Sequence, residues 1–402
     1  MNTLKSIYCR TYQMFIRMAL PVLPYRNPKQ IDSMGKIVPL LRRKNKSRVL
    51  LIADANVRNL GLTASLEEQL TNSGIRFAVY EQKISNPTIL EVEAARKAYL
   101  KLKAETIIAI GGGSSIDCAK AVGARIARPE KSVRKMKGLF KVLLPIPLFI
   151  AVPTTAGTGS EATLAAVITD EESHYKYPIN DFSLIPDYTV LDPFLTVSLP
   201  PFVTATTGID ALTHAVEAYI GQTTNRFTRE MSEKAVVLIH KYLREAVKNG
   251  KNIKARKNML YASYCAGLSF TRAYVGYVHG IAHSLGGRYG IAHGYANAVI
   301  LPLMLRLYGE SCEKKLAVLA RKCKMVSDNS DDGTASNTFI SWIEGLNKEF
   351  GIPKGFCEIK EKDVSKMAYY ADKESNPLYP VPKLMDRNEL AGVYRRLAVA
   401  NR

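Results

Sequence analysis

The chain has 402 residues, 47% hydrophobic and 23% charged, the proportions of a folded globular protein and not of a disordered or low-complexity one. That length holds roughly two or three domains, and no apolar run approaches the ~20 residues that cross a bilayer, so no transmembrane helix is expected. A net charge of +20 admits nucleic acid, an anionic membrane surface or an anionic substrate, and equally a solvated basic surface; the lack of an aromatic-studded RNA motif or zinc-finger spacing favours the last.

The first segment, MNTLKSIYCRTYQMFIRMALPVLPYRNPK, mixes basic and apolar residues, but Arg17 interrupts the run and no small-residue cleavage site follows, so a secretory signal is not expected. Two readings stay open for its first 25 or so residues: an amphipathic helix on a membrane or partner subunit, or packing on the protein's own core. Basic stretches follow at 40–48 (LLRRKNKSR) and 124–141 (ARIARPEKSVRKMKGLFK). From residue 48 short apolar runs alternate with helical ones. RVLLIADA, IRFAVYE, TIIAIGGG and LFIAVPTT read as strands, and LTASLEEQLTNSG, TILEVEAARKAYLKLKA and SSIDCAKAVGARIA as helices. This alternation predicts parallel strands with helices on both faces, then a hairpin excursion and a last strand stopped by Pro193. Beyond about residue 195 long amphipathic patterns such as SEKAVVLIHKYLREAVKNG take over. The expectation is an α/β nucleotide-binding domain over 1–195, carrying a basic extension at 1–30, followed by an all-helical metal-binding domain over 196–402. Six cysteines without CxxC pairs point to reduced thiols and a cytoplasmic protein.

Gly111, Gly112 and Gly113 follow a strand and open a helix, so backbone N–H groups and the helix dipole can face a pyrophosphate. A second loop, PTTAGTGSEAT (153–163), adds hydroxyls at the end of the next strand, where α/β sheets bind nucleotides. Neither string is the GxGxxG of the ordinary dinucleotide fold, and tight packing turns explain many such strings equally well. Asp54 ends the first strand, where its carboxylate either accepts from a ribose diol and repels a 2′-phosphate, favouring NAD, or caps a helix.

Three of the six histidines fall in HGIAHSLGGRYGIAH (279–293). His279 and His283 are spaced i,i+4, as are Asp210 and His214 in TGIDALTHAVEAYI, which puts each pair on one helix face. With His293, one carboxylate and two or three imidazoles can converge on a divalent cation, leaving a position for substrate or water; a structural metal or a hydrogen-bonded cluster are the other readings. His174 and His240 are read as bystanders.

The strings GGGSSIDCAKAVG, VPTTAGTGSEAT, TGIDALTHAVEAYI and HGIAHSLGGRYGIAHGYANAVILP, in this order and spacing, resemble the iron-containing (group III) alcohol dehydrogenase family, with weaker similarity in ISNPTI and ADKESNPLYPVP. The resemblance covers about residues 30–402 and implies a dehydroquinate synthase-like architecture. It places metal ligands on Asp210, His214, His279 and His293, and His283 beside the metal and nicotinamide. Gly111, Gly112, Gly113, Ser114, Thr154, Thr155 and Thr158 match its cofactor loops, Asp54 its acidic residue for NAD preference, and Asn86 and Lys176 its adenosine-side and ribose-side contacts.

The implied reaction is metal-dependent hydride transfer between a small alcohol or diol and NAD at a cleft between the two halves, with Fe²⁺ or Zn²⁺ as the metal and His283 relaying the alcohol proton. Alternatives are a glycerol or polyol dehydrogenase, a dehydroquinate-synthase-like lyase, and a non-enzymatic basic protein associated with membrane or nucleic acid. Family members often form dimers or higher oligomers, which implies a homo-oligomer. The N-terminal extension and the basic loop EKSVRKMKGLFKVL depart from the family pattern and bear on partners more than on chemistry.

Overall fold

The computed structural model describes residues 1–83, 86–172 and 175–399; His174 lies outside the described residues. The chain opens with α1 (Thr3–Ala19), capped by the Asn2 side chain, which accepts from the Leu4 backbone N–H. β1 (Lys29–Ile31) and α2 (Ile37–Arg43) lead into β2 (Arg48–Asp54), α3 (Ala55–Asn59), α4 (Ala64–Asn72), β3 (Arg76–Gln82), α5 (Ile89–Leu102), β4 (Thr106–Gly111) and α6 (Gly113–Ala127). Then come β5 (Gly138–Leu139), β6 (Leu148–Pro153), β7 (Ala165–Asp170), β8 (Tyr175–Asn180) and β9 (Tyr188–Val190).

Six strands form one sheet in the order β1-β9-β6-β4-β2-β3, every pairing parallel. Alternation along β2 and β4 explains why both faces are covered. Leu50, Ile52, Ile107 and Ala109 join a core with Tyr99 of α5 and Ile116 and Val122 of α6. Val49, Leu51, Ile108 and Ile110 join another with Ile37 and Leu41 of α2 and Leu66 and Leu70 of α4. Each such fully buried aliphatic side chain contributes ~1.5–3 kcal/mol. β7 and β8 form the antiparallel hairpin expected from the sequence, and β5 adds to it as a separate three-stranded sheet. The chain passes from β2 to β3 on one side and then crosses to β4 on the other, so the strand order reverses between β2 and β4, where α/β sheets hold their ligands.

The remainder is helical: α7 (Pro201–Ile220), α8 (Arg226–Lys248), α9 (Ile253–Ala273), α10 (Tyr277–Tyr289), α11 (His293–Tyr308), α12 (Glu310–Lys322), α13 (Asp332–Glu349), α14 (Glu361–Ser375) and α15 (Arg387–Leu397). α7 is buried on nearly every side from Thr204 onward, packed by α8 and α11, and its buried residues include the polar Asp210, His214 and Glu217. No helix among the described residues is long and apolar enough to cross a membrane.

The chain packs as two units, Met1–Leu23 with Pro200–Asn249 and Leu268–Arg402, and Pro24–Leu199 with Gly250–Gly267. Two segments thus lie differently from a single cut at 195. The N-terminal helix belongs with the helical unit because Arg10 and Gln13 donate to backbone carbonyls of residues 377–382. Residues 250–267 belong with the α/β unit, where Arg256 donates to the carbonyl of Leu199 (3.3 Å) and Tyr264 to that of Pro28 (3.0 Å). The basic loop after α6 is tied down internally: Arg134 forms a two-point contact with Asp170, 2.8 Å at each oxygen, and Arg128 donates to the carbonyl of Val142. All six cysteines are free thiols, and only Cys357 is exposed.

Candidate metal centre and dinucleotide loops

In the helical unit α7 carries Asp210 and His214 one turn apart, α10 carries His279, and His293 is the first residue of α11. One nitrogen or oxygen from each lies within 4.8 Å of those from the others. Gly294 permits this approach, since a Cβ there would sit 2.9 Å from the Thr206 carbonyl oxygen and 3.4 Å from Asp210 Cβ. Asp210, His214 and His279 are buried, whereas the His293 side chain is 29% exposed, leaving one side of the cluster open.

The second layer fixes the donors. His279 Nδ1 donates to Glu217 Oε2 at 2.6 Å, which leaves the Nε2 lone pair facing the cluster. Burial and the neighbouring imidazoles hold His279 well below the usual histidine range, so the ring is neutral, as a metal ligand must be. Burial pushes the Asp210 carboxyl up, opposed by His214 and by the Asn297 amide. Asn297 Nδ2 donates to Asp210 Oδ1 (2.7 Å) and lies 3.2 and 3.1 Å from Nε2 of His279 and His293. His214 stacks on Phe270, ring centres 4.2 Å apart. One carboxylate and three imidazoles, converging in a largely buried position with His293 partly exposed, fit Fe²⁺ or Zn²⁺.

His283 stands beside this group. Its ring stacks on His293 at 5.1 Å, and Nδ1 meets Glu374 Oε1 at 2.6 Å, an oxygen that also accepts from the Tyr379 hydroxyl at 2.7 Å. His240, remote from the cluster, packs edge-on against Trp342.

Sequence reasoning missed Glu217, Asn297 and Glu374. The first two carried a signal: Glu217 is seven residues after Asp210 on α7, and Asn297 one turn after His293 on α11. Glu374 is 91 residues from His283, and no local pattern links them.

In the α/β unit Gly112 caps α6 without a side chain, leaving first-turn N–H groups for a ligand. The two loops touch: a Cβ on Gly113 would meet the Thr158 side chain at 2.8 Å, and the Thr154 N–H donates to the Gly111 carbonyl at 2.9 Å. Thr154 is buried, while Ser114, Thr155 and Thr158 are half-exposed beside the glycines. Beneath them the Lys120 ammonium, fully buried, reaches the carbonyl and hydroxyl oxygens of Ser160 and Thr163 and the Ala165 carbonyl, all at 2.7–3.0 Å, which pins the second loop to α6. The cradle is bare backbone where a Cβ would collide, which fits a pyrophosphate.

Asp54 does cap a helix, since Oδ1 accepts from the Val57 N–H at 2.9 Å, while Oδ2 accepts from Ser115 at 3.4 Å beside the glycine loop. Asn86 and Lys176 are brought together, Lys176 Nζ donating to Asn86 Oδ1 at 3.1 Å.

The chain matches the family "Iron-containing alcohol dehydrogenase" over residues 27–193 and "Fe-containing alcohol dehydrogenase family, C-terminal" over residues 204–398. It is 34% identical to 1,3-propanediol dehydrogenase of Klebsiella pneumoniae over 390 residues, 96% of this chain and 99% of that one. It is 33% identical to NAD-dependent methanol dehydrogenase of Bacillus methanolicus, over 84% of this chain and 90% of that one. The crystal structure of a 1,3-propanediol oxidoreductase superposes with a TM-score of 0.89 at 32% identity, covering 93% of this chain and 99% of the other. Both halves of the chain are thus accounted for by one family, and the protein is a member of the iron-containing alcohol dehydrogenases.

Proposed function

We propose that the protein is a metal-dependent, NAD-linked alcohol dehydrogenase and aldehyde reductase acting on a small alcohol or diol. The observation that carries the reading is the convergence of Asp210, His214, His279 and His293 within 4.8 Å, in a chain that belongs to this family. Those four residues hold the divalent ion, Fe²⁺ or Zn²⁺. When bound, the ion supplies a Lewis acid for the substrate oxygen and NAD supplies the hydride acceptor.

The chain's own residues do the rest. Glu217 keeps His279 in the tautomer whose Nε2 lone pair is free to bind the metal, and Asn297 steadies Asp210. His283, held at Nδ1 by Glu374, takes the hydroxyl proton at Nε2 and passes it outward. Gly111, Gly112, Gly113 and Ser114, with Thr154, Thr155 and Thr158, cradle the pyrophosphate. Asp54 Oδ2 faces the ribose diol and disfavours a 2′-phosphate, which selects NAD over NADP. Asn86 and Lys176, joined by their hydrogen bond, hold the adenosine side and the ribose side respectively. The working form is a homo-oligomer, as membership of the family suggests, and it works in the cytoplasm, where free thiols such as these stay reduced.

The test is NADH formation from a panel of short alcohols and diols, and its reverse with aldehydes, using protein loaded with Fe²⁺, Zn²⁺ or no metal. The reading requires turnover with at least one metal and none without. Turnover that is indifferent to metal, or none with any substrate despite bound NAD, overturns it.

A further inference from the structure

α1 is docked the wrong way round for a helix of a soluble protein, which ordinarily buries its apolar stripe. Polar side chains hold it. Lys5 Nζ lies 2.7 Å from Asp372, and the Arg10 guanidinium donates to the carbonyls of Val381 (2.7 Å) and Pro382 (2.9 Å). The buried Gln13 amide donates to the carbonyls of Pro377 (3.1 Å) and Tyr379 (2.8 Å), and the N-terminal ammonium sits 3.2 Å from both Asp386 and Glu389. These contacts fix the rotation of the helix about its axis.

The opposite face is apolar and exposed. Leu4, Ile7, Tyr8, Met14, Phe15 and Met18 recur at helical spacing along one side, Phe15 62% and Met18 67% exposed, and Val22 continues the line. A 17-residue helix makes this stripe about 25 Å long. Apart from the exposed Thr11 midway, the stripe is apolar, and apolar exposure of that extent marks an interaction surface.

Charge indicates the occupant. The first 31 residues carry five Lys or Arg and no Asp or Glu; Lys5 and Arg26 are paired with Asp372 and Asp187 and Arg10 is held by carbonyls, which leaves Arg17 and Lys29 without an ion pair among the described residues. Arg17, one turn after Gln13 on the same side of the helix, is exposed at the flank of the stripe and forms no ion pair among the described residues. It adjoins further cations: burial, with Arg229 and Arg17 nearby, pushes the Lys315 ammonium down to about 8. An apolar stripe with tyrosine and phenylalanine in it and a cationic border matches the boundary between anionic headgroups and acyl chains. A contact between two copies through this face would instead bring together two chains that each carry a net charge of +20.

We propose that α1 is a membrane-surface anchor, lying in the plane of an anionic bilayer with its exposed apolar stripe among the acyl chains and Arg17 on headgroup phosphates. The polar face then serves to tether the enzyme body to the lipid.

The experiment is co-sedimentation of the full-length protein with vesicles of phosphatidylcholine alone or mixed with phosphatidylglycerol. Binding to the mixed vesicles is expected to exceed that to phosphatidylcholine by about tenfold or more, and to weaken as salt is raised. The double substitution Phe15→Asp, Met18→Asp lowers it by about tenfold or more without changing NAD turnover, and Arg17→Glu lowers it several-fold. No binding to mixed vesicles overturns the proposal. Equal binding by parent and double variant also overturns it, assigning the binding to the basic surface at large. If sedimentation velocity shows an oligomer that the double variant dissociates, with no vesicle binding, the face belongs to a second copy and the lipid proposal fails.

Discussion

Glu217 Oε2 and His279 Nδ1 lie 2.6 Å apart, and the same carboxylate group accepts from the backbone N–H groups of Gly276 (2.9 Å) and Val278 (2.8 Å). One buried side chain therefore sets both the start of α10 and the ring orientation of a candidate ligand. Glu217→Gln offers a single carbonyl oxygen to three donors, so metal affinity is expected to fall about 10–100-fold. Competition with a chromophoric chelator measures it; affinity equal to that of the parent would remove Glu217 from the account.

The pair His283 and Glu374 is predicted to affect turnover without affecting metal loading. His283→Ala should lower kcat by roughly 10²-fold or more, and Glu374→Gln by a smaller factor. Steady-state kinetics beside elemental analysis separates the roles. Loss of the metal in His283→Ala would instead make His283 a ligand.

Gly113→Ala puts a methyl group 2.8 Å from the Thr158 side chain, an overpacking worth ~1–3 kcal/mol, in the loop proposed for the pyrophosphate. Weaker NADH binding by fluorescence titration, with the metal content of the parent, is the expected result. Unchanged NADH affinity in a folded variant would argue that the loop does not touch the dinucleotide.

Lys120 gives a pH prediction. Burial lowers its ammonium from 10.5 to about 8, opposed by Asp117 and Glu161. Between those values the unfolded chain binds the extra proton, so this group makes unfolding free energy rise with pH across that window; below about 8 both states are protonated and the slope vanishes. Lys120→Met should be destabilised by ~3–5 kcal/mol, because it strips a buried cation from its oxygen partners, and should lack that slope. Denaturant titrations at a series of pH values check both, and a parent without the rise contradicts the assignment.

Much of the fold was legible because its signals are local. β2, β4 and β6 are apolar runs ending in glycine, aspartate or proline, and the helices between them carry their own stops. The Asp210, His214 and His279 positions were legible for the same reason, since helical spacing fixes a shared face before any tertiary contact is known. What escaped notice depends on long-range partners. Glu374 reaches His283 from another helix, and Asp54 keeps one oxygen for a cap and one for the glycine loop, a division that composition cannot reveal. The orientation of α1 was equally hidden: amphipathic periodicity shows that a helix has two faces, but only the carbonyls presented by residues 377–382 decide that the polar one docks. The same ties explain why the first 23 residues pack with the helical unit and not with the α/β unit they precede in sequence.

The most direct test of the central claim is to determine bound metal and NADH formation in parallel on the parent and on His214→Ala, with NADH binding followed by fluorescence as the control for folding. The parent is expected to hold a divalent ion and turn over, and His214→Ala to lose both while still binding NADH. A His214→Ala protein that keeps its metal and its turnover would contradict the assignment of the cluster as the catalytic metal site.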